Sequence, residues 1–195
     1  MKKILLKSFQ AFIITVVFMF SIVIQPAIAN EFSGNFRIFI SNQLSGKCID
    51  VAGAPGRSNG ANLQLWDCEL SGINPDNGSM TDEAWILTIS GYIRNQLSGK
   101  CIDVAGAPGM DNGANLILWD CELSGINPDN NSTTDQVWTV TTNGYIMNDL
   151  SGKCIDVAGA PGRSNGDNLI LWDCELSGIN PDNGSLTDQK WILVD

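Results

Sequence analysis

The stretch SGKCIDVAGAPG at residues 45–56 returns unchanged at 98–109 and again at 151–162. A second block, CELSGINPDN, begins at each of Cys68, Cys121 and Cys174, and the offset between copies is 53 residues throughout. The same offset carries Cys48, Cys101 and Cys154, then Trp66, Trp119 and Trp172, then Trp85, Trp138 and Trp191. A fixed period of this size marks a repeat architecture in which each copy is one supersecondary unit. The copies run over about 36–90, 91–143 and 144–195. An open solenoid needs atypical capping repeats. The third copy is not atypical, so the expectation is a closed three-fold assembly.

Within a copy, KCIDVAG, ANLQLWDC and EAWILTI are short, alternating and rich in Ile, Val, Leu and Trp, as half-buried strands are. Between them GAPG, NG and NPDNGS supply turn chemistry. No stretch keeps a helical period, so the fold class is all-β, with many short strands of even spacing. Alternation sorts the faces. Ile49 and Val51 share one face of the first strand, Cys48 and Asp50 the other. Leu63 and Leu65 share one face of the next, and Gln64, Trp66 and Cys68 the other. The aliphatic faces go to the core. Trp85, Leu87 and Ile89 alternate on one face, matched by Trp138 with Val140 and Trp191 with Leu193. These tryptophans are expected in the core.

The first 29 residues carry a basic start (Lys2, Lys3, Lys7), an apolar run over 11–24 and a small-residue Ala27-Ile28-Ala29 end. This is the pattern of a cleaved secretory leader rather than of a membrane span, for which the run is short. The expected product is one domain over 30–195, secreted to the cell exterior or a periplasm. Of 11 basic and 21 acidic residues in the chain, only those three lysines lie in the leader. The remaining acidic excess argues against nucleic acid and anionic membranes, both of which are bound through Lys and Arg. There is no histidine. That removes Ser-His-Asp and Cys-His catalysis and most zinc chemistry. Neither a metal nor a cofactor is expected, and oligomeric state is not legible.

Six cysteines in an exported chain imply disulfides. Two pairings respect the repeat: Cys48–Cys68 with its copies, or Cys68–Cys101, Cys121–Cys154 and Cys174–Cys48. The first closes the shorter loop, leaves each unit complete and is preferred. A loop of that size contributes roughly 3 kcal/mol in the chain-entropy model. Such a bridge would bring Asp50, Gln64 and Trp66 together. A carboxylate accepts strong hydrogen bonds from sugar hydroxyls, and an indole covers the apolar face of a pyranose. The alternatives are a buried Trp66 that only fills the core and an Asp50 that only caps a turn.

The ordered set CIDV, LWDC and, at the close, DQVW or DQKW resembles the ricin B-type lectin family from about residue 34 to the end. The resemblance implies a β-trefoil of three four-stranded units. It puts the sugar-binding acid on Asp50, Asp103 and Asp156, and the stacking aromatic on Trp66, Trp119 and Trp172. The residue two before that aromatic is Gln64, Ile117 or Ile170. The glutamine that braces the acid falls on Gln136 and Gln189, and the closing tryptophans Trp85, Trp138 and Trp191 become core. Asp135 and Asp188, with Asp82, stand where the family commonly has a sugar-binding Asn.

The first copy departs from this pattern. It has Glu83 in place of that glutamine, and an ionised Glu83 would repel Asp50 rather than brace it, which puts the first site in doubt. The segment from Cys68 to Glu83 is longer than the family's. It is expected as a solvated surface loop or a pocket wall; as a calcium site it lacks EF-hand spacing. The function implied is a secreted, non-catalytic lectin for a glycan or polysaccharide, galactose- or xylan-type, with up to three sites acting together. The alternative is a protein-binding trefoil such as a protease inhibitor or toxin accessory subunit. A glycosidase would need two carboxylates set about a scissile bond, and nothing in the spacing provides that.

Overall fold

The computed structural model describes residues 37–195, and the expected leader at 1–29 lies outside them. Among the described residues the chain forms twelve short strands. They are β1 (Ile38–Asn42), β2 (Cys48–Val51), β3 (Leu63–Trp66), β4 (Ala84–Leu87), β5 (Ile93–Asn95), β6 (Cys101–Val104), β7 (Leu116–Trp119), β8 (Trp138–Val140), β9 (Ile146–Asn148), β10 (Cys154–Val157), β11 (Leu169–Trp172) and β12 (Trp191–Val194). No helix among these residues is long and apolar enough to cross a membrane.

The pairing is that of a β-trefoil. β1, β4, β5, β8, β9 and β12 form the barrel. It closes through antiparallel β4–β5, β8–β9 and β12–β1 pairs in matching register: Trp85↔Asn95, Trp138↔Asn148 and Trp191↔Asn42. The remaining seams are Ile38↔Trp85, Tyr92↔Val137 and Tyr145↔Lys190. The other six strands make the hairpins β2–β3, β6–β7 and β10–β11. Bridges Asn62↔Ile117, Asn115↔Ile170 and Gln64↔Asn168 join these hairpins to one another.

Register explains the core. Ile49 faces Leu65 and Val51 faces Leu63 across β2–β3, while Asp50 faces Gln64 and Cys48 faces Trp66. The aliphatic side is fully buried in all three hairpins, together with Trp85, Trp138 and Trp191. Burying each such side chain contributes about 1.5–3 kcal/mol. The indole nitrogens are satisfied: Trp85, Trp138 and Trp191 donate to the carbonyls of Ile49, Ile102 and Ile155 at 3.0, 3.2 and 3.2 Å. Ile89 departs from the alternation expected of it. β4 ends at Leu87, the chain turns, and Ile89 stands 87% exposed.

Disulfides join Cys48–Cys68, Cys101–Cys121 and Cys154–Cys174, each across 20 residues, so every staple stays inside one unit. The units are clasped to one another by polar contacts instead. Lys47 and Asp67 meet Asn165 of the third unit, Asp120 of the Lys100–Asp120 pair meets Asn59 of the first, and Lys153 and Asp173 meet Asn112 of the second. Each clasp joins one hairpin base to the Asn-Gly turn of the next unit, and the three close a ring.

Candidate functional site

On the side of each hairpin away from the core, β2 and its copies bring a cysteine and an aspartate under cover. Asp50, Asp103 and Asp156 are 7–8% exposed, whereas Trp66, Trp119 and Trp172 are half-buried. The cover comes from the long segment that follows the second cysteine. In the second unit it folds back as a small hairpin, closed by an Ile126↔Thr133 bridge and by the Asn130 amide donating to the Ala107 carbonyl at 2.9 Å. Asn127 then turns its carbonyl oxygen to the Asp129 amide at 2.9 Å. The result is a cavity of about 280 Å³ lined by Asp103, Ile117, Trp119, Asn127, Asp129 and Asp135. Its counterpart in the third unit, about 120 Å³, is lined by Asp156, Ile170, Trp172, Asn180, Asp182 and Asp188. The segment is largely solvated, and Asn127 with Asp129, like Asn180 with Asp182, line the cavities.

The acid is held by a relay. Gln136 accepts the Glu122 amide at 2.8 Å through its carbonyl oxygen, which orients its NH₂ to donate to Asp103 at 2.8 Å and to the Asp120 carbonyl at 3.0 Å. Gln189 does the same between the Glu175 amide, Asp156 and the Asp173 carbonyl, at 2.7, 2.7 and 3.0 Å. Burial, then the charge of the adjacent Asp135, pushes the Asp103 carboxyl up to about 7; burial and Asp188 do the same to Asp156. Asp135 and Asp188 are themselves buried and raised, Asp188 to about 6, with burial the chief cause. Each gives one oxygen to a loop amide, Gly109 at 2.6 Å and Gly162 at 2.7 Å. Glycine is required at that contact. A Cβ on Gly109 would stand 2.5 Å from the Val104 side chain.

A buried, braced carboxyl beside a half-exposed indole, repeated about a three-fold axis, is now a located arrangement rather than a motif. A family model for the ricin-type beta-trefoil lectin domain matches residues 36–191. The chain belongs to this family. Among solved structures, the lectin domain is similar to the designed three-fold symmetric protein ThreeFoil, with 28% identity over 82% of this chain and 98% of that one, TM-score 0.57. It is similar to the hemolytic lectin CEL-III (26% identity, 80% of this chain, 29% of that one, TM-score 0.53). It is also similar to 1,3Gal43A, an exo-β-1,3-galactanase from Clostridium thermocellum (27% identity, 84% of this chain, 31% of that one, TM-score 0.59). The domain spans about three tenths of each of the last two chains.

The first unit of the lectin domain is built differently. Glu83 is fully buried and accepts the Glu69 amide at 2.6 Å, as the glutamines do, but its second oxygen has no partner. Burial pushes its carboxyl up to about 9. The charge of Asp50 adds to that shift, so the expected repulsion is present and favours the protonated form of Glu83. Asp50 is braced by Gln64 instead, which donates to it at 2.7 Å from the facing position on β3. Burial and the neighbouring Asp82 push Asp50 up to about 8. Asp82 binds the Gly56 amide, so it too acts as a loop anchor.

Sequence reasoning did not single out Asn127 and Asp129, or Asn180 and Asp182, as wall residues; their Asn-Pro-Asp turn was the available signal. Among the described residues the tightest cysteine and carboxylate group is Cys48, Cys68 and Glu83. Its two thiols are consumed by the disulfide, so it offers no metal ligand set.

Proposed function

We propose that the protein is a secreted, non-catalytic lectin whose second and third units each hold one sugar residue. The observation that carries this reading is the pairing of Asp103 with Trp119, and of Asp156 with Trp172, in one cavity each. The carboxylate accepts from two hydroxyls while the indole covers a C–H face. In the first unit Gln64 stands where Ile117 and Ile170 stand in the others, and a buried Glu83 replaces the bracing glutamine, so we assign that unit the weakest site. A galactose- or xylan-type ligand is favoured by the family. The galactanase among the similar structures supports the first of these.

A non-catalytic role is supported by the commitment of the second acid. Asp135 and Asp188 each spend an oxygen on a backbone amide, which ties the acid beside Asp103 or Asp156 to the loop and away from the role of a second catalytic carboxyl. Secretion, with the leader at 1–29 removed, is supported by three disulfides, which persist in oxidising compartments.

The test is binding to a glycan array and to galactan and xylan. The double variant Trp119→Ala/Trp172→Ala should lose at least about tenfold in apparent affinity, more if sites act together through effective concentration. Wild-type binding that the variant retains in full would sink the site assignment. Binding to a protein that free sugar fails to displace would favour the protein-binding trefoil.

A further inference from the structure

Trp119 borders a second cavity as well as the first. This one, about 440 Å³, lies across the unit boundary, with Asn59 of the first unit on one side and Asp120, Leu123 and Ile126 of the second on the other. Asp129 is common to both cavities. The indole between them lies close to the neighbouring unit. Its Cζ3 lies 3.8 Å from where a Cβ on Gly60 would stand, and Gly60 has φ +81°, which suits glycine.

The lining suits a sugar. Leu123 and Ile126 are 70% and 43% exposed and offer an apolar shelf with no covering side chain. Opposite them the Asp120 carboxylate, held by Lys100 and by the Asn59 amide at 2.8 Å, sits ionised, its pKa lowered by those two partners. Glu122 also borders this cavity, with its carboxylate oxygens buried beneath the lining. The Asp120 carboxylate and the Asn59 amide facing an apolar shelf match a molecule that has hydroxyls on its edges and C–H faces.

We propose that the second unit's site continues over the rim of Trp119 into this cavity, so that its ligand is an oligosaccharide: one sugar against Asp103, the next between Asn59 and Leu123. This rests on the lectin reading above. It assigns a specificity role to the long segment after Cys121, which walls both cavities. The same residues recur at the other two unit boundaries, where Asn165 meets Asp67 and Asn112 meets Asp173.

The test uses the full protein with Trp66→Ala and Trp172→Ala, so that the second unit alone reports. Calorimetry with D-galactose, β-1,3-galactobiose and the triose, and with xylose, xylobiose and xylotriose, should find one series bound. Its disaccharide should bind at least about tenfold tighter than the monosaccharide. Leu123→Asp, on an exposed position, should abolish that gain and leave monosaccharide affinity within about twofold. Equal affinity for mono- and disaccharide overturns the proposal, as does a gain that survives Leu123→Asp. Loss of monosaccharide binding in Leu123→Asp, with an unchanged melting curve, overturns it too, because the cavities are then not separate subsites. No binding of either series, or of any array glycan, overturns the lectin reading itself.

Discussion

Trp138→Ala should cost the fold about 3–5 kcal/mol, the range for removing a large aromatic from a packed core. Trp119→Ala should cost less than about 1.5 kcal/mol, although both are tryptophans of the same unit 19 residues apart. Trp138 is 3% exposed, packs with the aliphatic side of the hairpins and donates its indole N–H to the Ile102 carbonyl. Alanine there leaves both a cavity and an orphaned buried carbonyl. Trp119 is half-buried between two solvent-open cavities, so truncation mostly enlarges what is already open. Urea unfolding with an unchanged m-value would measure both. A domain stabilised by about 5–15 kcal/mol loses a large share of its stability in the first case. Equal destabilisation by the two variants would make Trp119 a core residue and remove the stacking wall from the site.

That contrast was partly legible beforehand. The 53-residue period and alternation placed three strands of each unit and assigned Ile49, Val51, Leu63 and Leu65 to the core, while the opening strands β1, β5 and β9 were left to the fold that the family resemblance implies. The disulfide pairing followed from units that must each be complete. Alternation could not say that the Asp50 side is buried too. There the segment after Cys68 is tied back by the Asn77 amide to the Ala54 carbonyl, 23 residues away, and a non-local contact of this kind leaves no periodic trace. Ile89 departs from alternation for a related reason: alternation is silent about where a strand stops. The sequence shows the charge Glu83 can carry, but not the burial that raises its carboxyl to about 9. Alternation puts Gln64 on the face of Asp50, and the register adds that it donates to Asp50 in the one unit that lacks a glutamine at the end.

The melting temperature should fall by more than about 10 °C between pH 5 and pH 9. Carboxyls in an unfolded chain titrate near 4. In the folded chain, burial and neighbouring acids push Asp103 and Asp156 up to about 7, Asp50 to about 8 and Glu83 to about 9. Between about pH 4 and those values the folded state holds protons that the unfolded state has lost, so stability falls as pH rises. The stabilisation is complete below about 4 and is lost as each folded value is passed. A tenfold change in proton affinity is worth about 1.4 kcal/mol, and a chain of this size shifts by about 2–4 °C per kcal/mol. Even a fraction of the four shifts therefore suffices. Glu83→Gln should recover part of the loss at pH 9 and change little at pH 5, since it supplies an uncharged donor where Gln136 and Gln189 have one. A melting temperature that is flat or rising over this range would show that these acids ionise without cost. Sugar binding should run the opposite way. Hydroxyls donate to a carboxylate, so affinity at the second and third units should rise from pH 6 to 8 while the melting temperature falls. Asp103→Asn should flatten both slopes in its own unit, because the group that destabilises the fold when it ionises is the group that the ligand needs ionised.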